Sequence, residues 1–419
     1  MNQLNPAPLS HLPFLDNLRS WMVVMVLIFH SGASYGSGVK FWPFHEANPS
    51  KFIDLFMMIG DVFMMAILFF IAGYFAIPSW QKRGSQGFIK EKVRRLMIPW
   101  LVVITLVLPF LDYIHYHFQE GVNGHPVISY GSYWMLSMKN MAEFHFGWME
   151  MSTYLNMTEH FYQRYMWFVS LLFLFFVVSA GIFEIKKRRR SSAACDMPDK
   201  TSAYYGLAKA GLLTIVLFAV IRFFIYPEFM GMGWFSLGNI LQFQFGKLVI
   251  YAVYFGLGCH AFSGKWFEGR SDFGKLWLWG LVCFLLFVVN MLVMMPLSRA
   301  EAPHLGLKIA FVVLYPLWAL SFLGVFTALA SKYWNRSTPF NRELGANSYD
   351  MYLVHYVFPM TVPLLLSHWT GGPVFIKFGI VALATVLLSY GVSRYLIRPF
   401  PFAFVFSLVG VSVLLEVLT

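Results

Sequence analysis

Long apolar stretches alternate with short polar connectors along the whole chain. Stretches of spanning length occupy about 14–33, 53–78, 96–114, 165–184, 205–226, 240–262, 275–297, 306–330, 346–367 and 374–397. They are longer and more continuous than the alternating segments of roughly ten residues that build a transmembrane barrel. A lipid-exposed backbone must satisfy its own hydrogen bonds, so each stretch is expected to be helical. The pattern predicts an all-α polytopic membrane protein with about ten transmembrane helices, each needing about 20 residues. Residues 1–419 read as one integral-membrane domain, with no internal repeat of roughly 20–50 residues. A last apolar piece, 402–418, is cut off by Pro399 and Pro401 and reads as an eleventh short span or an interfacial helix. The segment 112–164 is too long for a plain connector and too aromatic for disorder. It reads as a lid or interfacial helix over an opening, or as a surface decoration.

The distribution of cations orients this array. Loops that alternate on one side carry 20 Lys and Arg, among them the run KKRRR at 186–190, and the loops on the other side carry 8. The positive-inside rule then puts both termini in the cytoplasm and the segment 112–164 outside. The net charge of +11 is explained by those clusters, and nucleic acid is not an expected partner. Composition agrees: 58% hydrophobic and 12% charged residues exclude an ordinary soluble domain. Cys195, Cys259 and Cys283 show no paired spacing, so neither a disulfide framework nor a zinc site is expected. The first thirteen residues lack Lys and Arg, which speaks for a retained first span over a cleaved signal.

Candidate chemistry lies where polar residues interrupt apolar runs, because ionisable groups there are costly and mark functional sites. In FLDNLRSWMVVMVLIFHSG, residues 14–32, Arg19 and His30 are eleven residues apart. On a helix that places them on nearly one face, about 16 Å apart along the axis. Asp16 stands three residues before Arg19, within pairing distance. The plain alternatives are a snorkelling Arg19 and a packed neutral His30. IKEKVRRLMIPW, 89–100, puts Lys92, Arg94 and Arg95 before a span, either as anion ligands or as membrane anchors. NSYDMYLVHYVFP, 347–359, carries Asn347, Ser348, Asp350 and His355 within one span, lining a cavity or pairing with other helices. RYMWFVSLLFLFF, 164–176, opens a span with Tyr165 and Trp167, which otherwise suit an interfacial belt. There is no P-loop, HExxH, EF-hand loop or CxxC, and no metal site is expected. Met57, Met58, Met64 and Met65 read as packing residues.

Together these segments resemble the acyltransferase family 3 membrane proteins. Arg19, ten residues, then His30 resembles the family's opening signature. FFIAGYF at 69–75, KVRRLMIP at 92–99, YMWFVSLL at 165–172 and SYDMYLVHYVF at 348–358 follow in the family's order. Within the family the look is that of the glucans biosynthesis protein C branch, which transfers succinyl groups. Three positions depart from the family pattern. Ala72 replaces a Ser, Lys92 replaces the first Arg of RxxR and loses its bidentate geometry, and Tyr165 replaces a frequent His.

The resemblance implies transfer of an acyl group, acetyl or succinyl, from cytoplasmic acyl-CoA to a hydroxyl of an extracytoplasmic or lipid-linked carbohydrate. It implies a bacterial inner membrane, acyl-CoA as co-substrate and no tightly bound cofactor. On this reading His30 is the general base, or the site of an acyl-imidazole intermediate. Arg19, held by Asp16, orients the donor. Lys92, Arg94, Arg95, Asn347 and Ser348 are donor-binding candidates, and Asp350, His355, Tyr165 and Trp167 are candidates for lining the tunnel. The competing class is a proton-coupled transporter or flippase-like carrier, in which the intramembrane Asp, His and Arg groups relay protons.

Overall fold

The computed structural model describes residues 12–39, 42, 44–123, 126–149, 161–190, 202–226, 233–268 and 274–418. Helix α1 (Pro13–Ser31) starts on a proline, where the missing N–H costs nothing. It is followed by α2 (Lys51–Lys92), α3 (Ile98–Val102), α4 (Leu108–Asn123) and α5 (Tyr130–Ala142). Next come strand β1 (Phe146–Met149), α6 (Trp167–Arg190), α7 (Ala203–Val220), β2 (Trp234–Leu237) and β3 (Leu241–Gln244). The remainder is α8 (Phe245–Ser263), α9 (Leu276–Arg299), α10 (Leu305–Tyr333), α11 (Pro339–Val354), α12 (Val357–Leu365), α13 (Val374–Val392) and α14 (Pro401–Leu418). Single π turns join α2 to α3, α3 to α4, and α13 to the approach of α14.

Among the described residues, 7 helical runs are long and apolar enough to cross a membrane. This is an integral membrane protein, but its helices are not ten separate rods. The second and third expected spans lie in one helical run, Lys51–His117. That run reverses at Gly84, whose φ of 68° is open to glycine and strained for other residues. In an unbroken helix Ser79 and Glu91 would stand about 18 Å apart. Their side chains instead meet at 3.4 Å, and Arg83 pairs with Glu91 at 3.3 Å. The ninth expected span is broken into α11 and α12 at His355. Pro359 explains the break, because its ring excludes the helical hydrogen bond to the His355 carbonyl.

Tight helix contact organises the centre. A Cβ on Gly73 of α2 would lie 2.0 Å from the Phe255 carbonyl oxygen, and one on Gly258 of α8 would lie 2.0 Å from that of Phe70. The two backbones therefore touch, as small residues allow inside a bilayer. Helix α1 packs in the middle, against α2, α10, α11 and α13. At the level of Phe14 it meets Phe267, which also meets Tyr74 of α2. At the level of Phe29 it meets Gly60 of α2. The bundle thus has an Arg19 end, on the side toward which α2 runs on to the Gly84 reversal, and a His30 end.

One expectation is corrected here. The sixth apolar stretch was expected to be helical throughout, but residues 241–244 are strand β3. The order β1-β2-β3 forms an antiparallel sheet with Phe146 opposite Leu237 and Leu237 opposite Leu241. Gly238 and Asn239 make its turn with positive φ, and the Asn239 amide donates to the carbonyls of Asn140 and Glu143. Within the segment 112–164, expected to be a lid or interfacial helix or a surface decoration, the described residues hold the end of α4, α5 and β1, and β1 is stitched to the hairpin of β2 and β3. The segment 402–418, expected as an eleventh short span or an interfacial helix, lies in helix α14. It starts beside Arg394 and Arg398, and its Glu416 accepts hydrogen bonds from the Gly131 amide and Ser129 of α5. Eighteen residues rise about 27 Å. The last turn of α14 therefore lies beside α5. The tripeptide NMT at 156–158, which reads as a formal glycosylation sequon, lies outside the described residues.

Candidate active site

The broken helix brings together two residues 325 positions apart. His30, in the last turn of α1, places Nδ1 3.0 Å from Nε2 of His355. The other ring nitrogen of His355, Nδ1, lies 2.7 Å from the Tyr352 carbonyl oxygen. A carbonyl can only accept, so His355 carries its proton on Nδ1. In the neutral ring Nε2 is then a bare acceptor, and it must receive the proton of His30 Nδ1. The His30 ring also hydrogen-bonds the Val26 carbonyl one turn back; with the His30 proton on Nδ1, its Nε2 keeps a lone pair. A chain of carbonyl, imidazole and imidazole thus presents one basic nitrogen, an arrangement suited to accepting a proton near neutral pH.

The surroundings hold the pair in place. Tyr165 donates to the Leu353 carbonyl at 2.6 Å, and Tyr352 donates to the Tyr165 carbonyl at 2.5 Å. These reciprocal bonds lock the start of α6 to the end of α11. Tyr356 stacks on Tyr165 with ring centroids 4.5 Å apart and meets the edge of His30 at 5.1 Å. The Tyr356 hydroxyl accepts a hydrogen bond from Arg164, which is ion-paired with Asp112. Both members of that pair are largely buried, and Arg164 has a φ of 46°. Over this cluster lies the link between α1 and α2. Its Trp42 donates to the Pro359 carbonyl at 3.2 Å and packs against Tyr356. Glu46 reaches buried Lys377 of α13 at 2.8 Å. Ser31, beside His30, bonds Thr385 of the same helix at 3.1 Å.

The other sequence candidates fall elsewhere. Arg19 stands at the far end of α1, 3.7 Å from Asp16 and partly exposed, and does not meet His30. Lys92 and Arg95 both pair with Glu91, at 3.6 and 3.1 Å, and Lys92 also sits over the rings of Phe88 and Phe176. Arg94 is exposed. Asn347 is buried, donates to Glu343 at 3.0 Å and accepts from Ser393 at 2.8 Å, tying α11 to the turn after α13. Ser348 bonds the Gly345 carbonyl. Asp350 neighbours Ser393 and Arg398 at the same end. Trp167 lies on Tyr251 of α8 with near-parallel rings, outside the histidine cluster. The sequence candidates therefore divide: His30, His355 and Tyr165 meet at one end, and the cationic candidates gather at the other.

Near the cations, a cleft of about 790 Å³ opens at the Gly84 reversal. Trp80, Phe183, Lys186, Lys187, His260 and Lys265 are among its walls. Ile77, also in its lining, is seventeen residues along α2 from Gly60 at the level of His30, or about 25 Å. No group of three or more metal-binding side chains occurs among the described residues. Sequence reading passed over Tyr356, Arg164 and Asp112. Tyr356 directly follows His355 in the same polar stretch, whereas Arg164 and Asp112 had looked like ordinary loop-end charges.

The acyltransferase family 3 model, an acyltransferase domain, matches residues 12–394. The glucans biosynthesis protein C of Salmonella heidelberg (strain SL476) is 27% identical over 264 residues, covering 61% of this chain and 59% of the relative. That of Escherichia coli (strain SMS-3-5 / SECEC) is 26% identical over 266 residues, covering 62% of this chain and 60% of the relative. The aligned part thus spans about three fifths of these relatives' length. No solved structure matches the chain. The match runs from the start of α1 through α13 and includes both histidines of the pair, and the chain belongs to the acyltransferase family 3 of membrane proteins.

Proposed function

We propose that the chain is a membrane O-acyltransferase that moves an acyl group, acetyl or succinyl, from acyl-CoA to a hydroxyl of a carbohydrate. The observation that carries this reading is the pair of His30 and His355, with its tautomers set by the Tyr352 carbonyl. Nε2 of His30 takes the proton of the acceptor hydroxyl as its oxygen attacks the thioester carbon. The C–O bond forms, the C–S bond breaks, and the thiolate leaves with the proton that His30 returns. His355 holds the ring and shares the positive charge that develops on it. Glucan is the acceptor class favoured by the names of the relatives. On this reading the Arg19 end faces the cytoplasm of a bacterium and the His30 end faces outward, with the N-terminus inside and eleven crossings of the inner membrane, α14 being the last.

An elongated anionic donor fits the spacing of the molecule. Its phosphates belong with Arg19, Lys92, Arg94 and Arg95 and the lysine-lined cleft, where charge-assisted hydrogen bonds are strong. Its thioester belongs at His30. Asp16 orients Arg19, while Asn347, Ser348 and Asp350 support the helix ends around that mouth. The test is release of free thiol from acetyl-CoA and succinyl-CoA by the detergent-purified protein, with and without gluco-oligosaccharides. Parallel thermal unfolding with each CoA species reports binding, since a ligand of the folded state raises stability. Acceptor-dependent thiol release supports the reading, and so does stabilisation by an acyl-CoA that Arg19→Ala abolishes. Neither effect at saturating donor would overturn it and favour a proton-coupled carrier.

A further inference from the structure

A second polar cluster lies at the His30 end and is not used by the histidine pair. Asp61 of α2 directly follows Gly60, where α2 touches Phe29, and His30 directly follows Phe29. Asp61 and His30 therefore share a level on adjacent helices. Asp61 is ion-paired with Lys247 of α8. The partners differ sharply in exposure: the Lys247 side chain is 2% exposed and that of Asp61 is 46% exposed. An exposed carboxylate within an apolar run is too costly to face hydrocarbon, so it faces an aqueous opening. Tyr251 and Tyr254 follow Lys247 on the same face of α8. Both are at least nine-tenths buried, and neither hydroxyl has a hydrogen-bond partner among the described residues. Orphaned buried hydroxyls call for an explanation, and a bound polar ligand is one.

The walls around this cluster are aromatic. Trp167 lies on Tyr251 with centroids 5.4 Å apart and meets Trp234 of β2 at 6.2 Å. Phe69 stacks on Tyr251 at 5.0 Å and meets Phe168, which meets Tyr352 beside His355. One aromatic layer thus separates the two polar clusters. A rigid aromatic wall, one outward-facing carboxylate and unpaired hydroxyl groups are the chemistry that recognises a sugar. The ring's C–H face packs on the aromatic side chain, and neighbouring hydroxyls donate to the carboxylate.

We infer that Asp61, held by Lys247, and the wall of Trp167 and Trp234, backed by buried Tyr251, form the binding site for the carbohydrate acceptor. The inference rests on the acyltransferase reading for its substrate class, but its test does not need turnover. The full-length protein in detergent is titrated with α-1,4-, β-1,2-, β-1,3- and β-1,4-linked gluco-oligosaccharides. Binding is followed by tryptophan fluorescence and by calorimetry. The wild type is expected to bind at least one of them. Asp61→Asn is expected to weaken that binding about tenfold or more, as the loss of hydrogen bonds to a charged group does. Trp167→Ala weakens it and removes part of the fluorescence change. Asp61→Glu keeps the ion pair and serves if Asp61→Asn fails to fold; it is expected to shift affinity among the linkages without abolishing binding. Wild-type affinity in folded Asp61→Asn, or in folded Asp61→Glu with an unchanged ranking of linkages, would overturn the site. So would the absence of binding to every oligosaccharide, whatever the thiol-release assay shows.

Discussion

Replacing His30 by alanine removes the basic nitrogen without disturbing the bonds that lock α6 to α11. The expected result is a fall in acyl-transfer rate of about 10²–10⁴-fold, the usual worth of a positioned proton acceptor. His355→Ala removes the partner that fixes the His30 tautomer. It should lower kcat by roughly 10²-fold, at the lower end of that range, and leave the donor KM unchanged. The split between kcat and KM distinguishes this from a loss of binding. Both residues were legible in the sequence as polar interruptions of apolar runs. Their contact was not, because nothing in a one-dimensional pattern relates the end of α1 to a helix break 325 residues later. The roles of Tyr356, Arg164 and Asp112 were hidden for the same reason.

Helix packing rests on a few positions that tolerate little change. Gly73→Ala or Gly258→Ala would push a methyl group to 2.0 Å from a backbone carbonyl oxygen, where nothing can yield but the helix itself. Either variant is expected to separate α2 from α8 and to lose the monodisperse peak on size exclusion. The link above the histidines depends on the ion pair of Glu46 and Lys377, which are 7% and 2% exposed. Glu46→Gln or Lys377→Met alone leaves a buried charge without its partner and should cost about 3–5 kcal/mol. The double variant should recover much of that loss, and thermal unfolding of all three checks it. Apolar runs revealed these helices well, because burial in a membrane selects for composition along the whole element. The reversal at Gly84 falls within the cationic connector between the second and third apolar stretches, as the alternation implied; that helix continues almost up to the turn on both sides was not legible. The break at His355 was readable from Pro359, yet the run remained apolar enough to look continuous.

Across the whole molecule, the alternation of apolar and charged segments captured the membrane class and the gathering of cations at one end. It missed the three-stranded sheet, whose strands are only four residues each and lie beside longer apolar runs. It left the last helix undecided between a short span and an interfacial one. Charge counting treats each loop as a vote, and it assigned the C-terminus by the nearest cations, Arg394 and Arg398. The structure carries α14 back along the bundle to α5. A cysteine introduced by Thr419→Cys, in a background without native cysteines, is therefore expected to react with an impermeant maleimide from the side opposite Lys186→Cys. Labelling of both from one side would contradict that topology.

The central claim is that His30, set by His355, accepts the proton of the hydroxyl that receives the acyl group. The most direct measurement is the rate at which labelled acyl groups pass from acyl-CoA to gluco-oligosaccharide in vesicles containing the wild type, His30→Ala or His355→Ala, at matched folding and donor saturation. A loss of about 10²-fold or more in His30→Ala, with a smaller or equal loss in His355→Ala, is the expected result. Undiminished transfer by folded His30→Ala would contradict the account.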